Sequence, residues 1–197
     1  MRARADAAAD TYERVLAAGE SLFKSSHYDD VTLQAVSERA GVALKTVLRR
    51  FGSKDALLVA CARSGSERES TIRAVKSGDW RAAAAVLASR YESTCDEVAR
   101  YWPLEDRIPA VATAFASARQ SHRAWLADVF ASNLPRRGTA RYEQRLAELF
   151  GATEIFVWFT WRRRLGIGRK TAERALAELL EALMFLWARS NNRERQR

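Results

Sequence analysis

Between Leu44 and Phe51 the chain reads LKTVLRRF, a run with Lys45, Arg49 and Arg50 and no acid. At helical spacing Val47 and Phe51 share an inward face with Leu48 beside them. Lys45, Thr46, Arg49 and Arg50 then project outward or to the flanks. Lysine and arginine neutralise phosphates, and the arginine fork also matches the O6 and N7 acceptors of guanine in a major groove. The chemistry on offer is recognition of a polyanion rather than bond making.

Catalytic patterns find little support. The only histidines are His27 and His122, and the chain has no Gly-rich phosphate loop, no HExxH and no nucleophile elbow. Carboxylates are scattered among arginines at helical spacing, which reads as surface ion pairing. Cys61 and Cys95 lie far apart and match no metal-ligand spacing. They read as two small buried residues, with a redox switch as the alternative. We expect no enzyme activity, no metal and no cofactor.

The elements that must hold Leu44–Phe51 are legible around it. Val31–Leu58 contains two short amphipathic patterns joined by Ala40–Gly41–Val42, then a third helix start at Ser53–Lys54. Gly41 stands where a helix-turn-helix turns sharply at no Cβ cost. Thr32 is placed to cap the second helix, as a single cap, because N3 is Ala35 rather than Glu or Gln. Before it, Tyr12, Val15, Leu16, Gly19, Leu22 and Phe23 form one apolar stripe, after a frayed lead-in over residues 1–10. Ser53 caps a helix expected from Lys54 to about Lys76, stopped by Ser77–Gly78–Asp79. The rest reads as helices over Trp80–Tyr101, Leu104–Ala118, Ser121–Ser132, Ala140–Leu165 and Arg169–Ser190, with a disordered polar end, SNNRERQR.

Composition agrees with an all-α fold of about nine helices. Among 197 residues, 48% are apolar, with six Trp, eight Phe and five Tyr, while nine Gly and three Pro leave few breaks. The net charge of +9 suggests a polyanionic partner. Its distribution does not point to the helix-turn-helix, since residues 1–55 hold nine basic and eight acidic side chains. The signal there is local to one helix. Without an apolar signal segment or a membrane-length run, a soluble, cytoplasmic protein is expected.

Two stretches, VTLQAVSERAGV and TVLRRFGSKDAL, with Leu22–Phe23 ahead of His27–Tyr28, resemble the N-terminal signature of TetR-type transcriptional regulators over about Thr11–Leu58. The resemblance implies a three-helix DNA-binding head, residues 1–56, and a helical effector-binding and dimerisation body, residues 57–197. It implies that Thr32 holds a phosphate and Gln34 reaches a base edge. Leu44, Lys45, Thr46, Leu48, Arg49 and Arg50 would form the recognition helix, and Lys54 a phosphate anchor at the next helix start. Departures from the usual pattern at Ala43, Lys45, Leu48 and Arg50 preserve that role and remove any borrowed operator sequence.

The closing helix pair is unusually apolar. Phe150, Ile155, Phe159, Leu176, Leu179, Leu180, Leu183 and Trp187 need a cover, either the chain's own core or a second copy. The resemblance implies the second, a homodimer with one recognition helix per half-site. Tyr91, Trp102, Phe115, Trp125, Trp158 and Trp161 are aromatic candidates for an effector pocket, against plain core. Arg119, His122 and Arg123 stand near Trp125, where an anionic group of a ligand could meet them. Arg162–Arg163–Arg164 reads as a solvated helix end, or as steering charge toward DNA. The expectation is a ligand-released repressor on a palindromic operator. The alternative is a helical ligand-binding or interaction dimer without sequence-specific DNA binding.

Overall fold

The computed structural model describes residues 2–72 and 75–195. Nine α-helices appear among them and no strand: α1 Arg2–Ser25, α2 Leu33–Ala40, α3 Leu44–Phe51, α4 Lys54–Ile72, α5 Trp80–Tyr101, α6 Pro109–Val129, α7 Ala140–Ala152, α8 Ile155–Phe159 and α9 Arg169–Arg195. Short 3-10 turns cover Tyr28–Asp30 and Trp102–Leu104, and a π-helical turn, Thr160–Arg164, extends α8. The chain forms two compact units, one of residues 1–69 with 100–119, the other of residues 70–99 with 120–197.

The first unit is built on Val15, Leu16 and Phe23 of α1, which meet Val36, Val47 and Leu57 from α2, α3 and α4. Tyr101 and Val111 complete that core, and the Tyr101 hydroxyl donates to the Phe23 carbonyl at 3.0 Å. Gly19 lets α1 approach α4 closely. A Cβ there would lie 3.0 Å from Cys61 Sγ and 3.3 Å from Leu57. Cys61 is buried, in keeping with a small core residue. In the second unit Leu87, Leu126, Phe130, Leu149, Trp158, Leu176 and Leu180 are all buried together.

Helix boundaries depart from the sequence expectations in several places. Helix α4, expected to about Lys76, is helical to Ile72 with residues 75–76 outside the helix, and the helix expected to reach Ser132 ends at Val129. The lead-in is helical from Arg2, because the Ala-rich start propagates α1. The expected break between Ala118 and Ser121 is absent, since Arg119 and Gln120 are good helix formers. The helix instead opens at Pro109, whose missing N–H suits a first turn. The expected Ala140–Leu165 helix breaks at Thr153–Glu154. Thr153 leaves helical geometry, and the Glu154 carboxylate accepts from Phe156 N at 2.8 Å, starting α8 afresh. Finally, α9 continues through most of the polar end, to Arg195.

Candidate nucleic-acid interface

Each boundary of the helix-turn-helix has a local cause. Thr32 Oγ1 accepts from Ala35 N at 3.1 Å, opening α2. Gly41 ends it in the left-handed region at φ 63°, and its N–H returns to the Glu38 and Ser37 carbonyls. Arg14, tied to Asp10 one turn away, donates to the Ala40 carbonyl at 3.0 Å and so clasps the end of α2 to α1. Arg39 donates to Ser21 Oγ at 2.6 Å. Neither arginine belongs to a motif; in the sequence only the i, i+4 spacing of Asp10 and Arg14 marks either of them.

Gly41→Ala should destabilise the protein by about 1–2 kcal/mol, the cost of a left-handed L-residue. The nearest atom to an added Cβ is Arg14 Nη1 at 3.8 Å, so the loss comes from backbone strain and not from a clash. Chemical denaturation measures it, and an unchanged midpoint would overturn the account.

On α3, Val47 is buried and Phe51 stacks on Tyr12 at 5.2 Å, which fixes the helix against the first unit's core. Lys45, Leu48 and Arg49 are exposed on the other side, while Leu44, Thr46 and Arg50 are half-buried. Leu48 thus stands 44% exposed, outside the inward cluster expected for it. Steric space explains this: Val47 and Phe51 already occupy the ridge facing the core. The outward row is therefore a cation, an apolar side chain and a second cation, spaced i, i+3 and i+4.

The flanking residues have defined chemistry. The Thr32 hydroxyl spends a lone pair on its cap and keeps a proton that a phosphate oxygen can accept. Gln34 is exposed and donates to Glu38 Oε1 at 2.7 Å. Lys54 donates to the Tyr28 carbonyl at 2.9 Å with its ammonium 4.1 Å from the Tyr28 ring centroid. Its charge is thereby held at the start of α4, beside the Ser53 cap on Ala56 N. Tyr28 itself donates to Asp55; burial first, and then that carboxylate, push its phenol pKa upward.

The body residues are distributed unevenly. Of the aromatic pocket candidates, Tyr91 and Trp158 are buried in the second unit's core, with Trp125 and Trp161 packed against it. Phe115 packs in the first unit, and Trp102 is 50% exposed in that same unit. The candidates are thus divided between the two units. Arg119 pairs with Glu105 and Arg123 with Glu143, so neither cation of the expected anion site stands ready for a ligand. Arg162 makes a two-pronged contact with Glu92, which also accepts from Trp158 Nε1 at 3.1 Å. Hydrogen bonding from Arg162 holds the Glu92 carboxyl below its usual range. Arg163 grips Asp96 the same way. Two members of the Arg162–Arg164 run are therefore ion-paired to α5, Arg162 half-buried and Arg163 still exposed.

The apolar closing pair also divides. Leu176, Leu180 and Trp187 lie in the chain's own core, which withdraws them from the expected subunit contact. Leu179 remains exposed on α9, Leu183 is half-buried, and Phe150, Ile155 and Phe159 are half-buried as well. Phe185 and Leu186 are more exposed than any of these, at 60% and 57%.

Residues 15–61 match the family model described as bacterial regulatory proteins, tetR family. Solved structures share the fold. A transcriptional regulator from Rhodococcus sp. Rha1 is 20% identical over 87% of this chain and 95% of its own, with a TM-score of 0.66. A protein from Mesorhizobium loti, described as of the TetR family, is 17% identical over 91% and 97%, with a TM-score of 0.65. A TetR regulator from Rhodococcus sp. RHA1 is 20% identical over 88% and 95%, with a TM-score of 0.57. No curated protein matches significantly. Residues 15–61 thus carry a tetR-family head built around α2 and α3, and the chain shares the all-helical fold of these solved regulators.

Proposed function

We propose that a homodimer of this chain represses transcription in the cytoplasm by binding a palindromic operator, and that a small molecule bound in the body releases it. The observation carrying the DNA-reading part is the outward row Lys45–Leu48–Arg49 on a helix seated by Val47 and Phe51. Thr32, Gln34, Leu44, Thr46, Arg50 and Lys54 flank that row as phosphate and base contacts. Residues 1–56 act as the reading head and 57–197 as the regulatory body in this proposal.

Exposed apolar side chains on α9 support the dimer. Leu179, Ala182, Leu183 and Leu186 follow one another at helical spacing, and only Leu183 of the four is half-buried. A stripe of this kind on a helix otherwise rich in charge suits a self-complementary two-fold contact. The half-buried Phe150, Ile155 and Phe159 would flank it.

Selection of bound fragments from the source genome tests the whole reading. A shared palindrome, protected on two half-sites one helical turn apart, is the expected result. Binding no tighter to any fragment than to bulk DNA would overturn it in favour of a helical dimer without operator specificity.

Leu48 adds a sharper expectation. An apolar side chain between two cations suits the 5-methyl group of thymine. Replacing the thymine it meets with deoxyuridine should weaken binding about fourfold, for one methyl group of ~0.8 kcal/mol. Leu48→Ala should bind the two operators equally. Equal sensitivity in wild type and variant, read by fluorescence anisotropy, would sink the assignment.

A further inference from the structure

One buried polar atom of the second unit that its hydrogen bonding does not use is Nδ1 of His122. The side chain is 6% exposed on α6, and Nδ1 has no hydrogen-bond partner among the described residues. Its other nitrogen, Nε2, lies 2.9 Å from Thr153 Oγ1. The Thr153 hydroxyl has one proton, directed at the Leu149 carbonyl 2.8 Å away. Toward His122 it can therefore only accept. Nε2 carries the ring proton, and Nδ1 presents a bare lone pair.

The neighbours hold that arrangement rigidly. Tyr91 donates to the Thr153 carbonyl at 2.6 Å, so the threonine is fixed from both ends. The Trp125 ring lies nearly parallel to the imidazole at 6.0 Å, and the Phe150 ring is tilted at 5.4 Å. Burial first, and then the charge of Arg90, depress the His122 pKa to about 4, so the ring is neutral at pH 7.

A buried acceptor left unmatched costs about 1–3 kcal/mol, whereas one matched by a ligand donor becomes a source of specificity. A carboxylate or phosphate would set lone pairs against a lone pair. A hydroxyl on a flat aromatic ring would donate into Nδ1 and match the Trp125 and Phe150 surfaces. We propose that His122 Nδ1 is the hydrogen-bond acceptor of a site for a neutral, planar, hydroxyl-bearing aromatic ligand. The site's link to operator release rests on the effector reading above; the site itself does not.

The probes are phenol, anisole and benzoate, added to full-length protein labelled with 15N-histidine. His27→Gln leaves a single imidazole signal to follow. The free protein should show a protonated Nε2 and a bare Nδ1. Phenol should shift the Nδ1 resonance saturably, while anisole, which lacks the donor, and benzoate, an anion, should leave it unmoved. His122→Phe should weaken phenol binding about tenfold or more, the value of the lost hydrogen bond. A proton found on Nδ1, a resonance unmoved by phenol, or an equal shift with anisole would overturn the proposal. If His122→Phe does not fold, the wild-type titration decides alone. Phenol binding without any change in operator affinity keeps the site and rejects its role in release.

Discussion

Replacing Lys45 and Arg49 together with alanine should lower operator affinity about a hundredfold or more and leave thermal stability almost unchanged. Both side chains are exposed on α3, and neither supports the core that Val47 and Phe51 anchor. Surface substitutions of this kind move stability by about 0.5 kcal/mol or less. A guanidinium forked onto guanine contributes about 1–3 kcal/mol of discrimination, and each lost phosphate contact lowers the salt slope by about 0.9. Arg49→Lys separates the two roles. It keeps the charge and loses the fork, so affinity for bulk DNA should persist while preference for the operator drops. Titration at several salt concentrations reads both quantities. Wild-type operator affinity in the double variant would remove α3 from its place as the recognition helix.

The second large effect is on stability against pH. The His122 pKa lies near 4 in the folded protein, against 6.5 for the free side chain. Between those values the unfolded chain binds the extra proton and the folded chain does not. Stability is therefore complete above pH 6.5 and falls as pH drops toward 4. The total contribution is about 3 kcal/mol at roughly 1.4 kcal/mol per unit. Glu92 acts later. Its depressed carboxyl supplies stability above the ordinary carboxylate range, lost only as pH falls below about 4.5. Urea unfolding at pH 7, 6 and 5 isolates the histidine. The midpoint should fall steadily in wild type and stay nearly level in His122→Phe; equal slopes would show that His122 does not control this window.

These two effects arise from residues that were unequally legible. Lys45 and Arg49 stand out in a stretch without acids, because local helical spacing alone decides which side of α3 they occupy. Thr32 as a cap and Gly41 as a left-handed turn were readable for the same reason: each role is completed within a few residues. Spacing alone puts Leu48 beside Val47 on the inward side, and only the Phe51–Tyr12 stack shows which ridge faces the core. The closing helices show the limit more clearly. Leu176, Leu179, Leu180 and Leu183 look equivalent as a stripe, yet Leu176 and Leu180 are interior while Leu179 is exposed. A helix face broad enough to touch two neighbours carries no mark in its sequence of where one neighbour ends.

By itself, then, the sequence determined the all-α class, the helix-turn-helix with its cap and its turn, and the cationic face of α3. All of these depend on interactions within a turn or two of helix. Tertiary structure alone decided that Arg162 and Arg163 are spent on Glu92 and Asp96, and that Arg119 and Arg123 are ion-paired. It also decided that His122 is a neutral acceptor instead of a cation. Burial and the Thr153 hydroxyl set that state, and Phe150 and Thr153 come from a segment about thirty residues away along the chain. Charge and protonation follow what packs around a group, and no local pattern contains that.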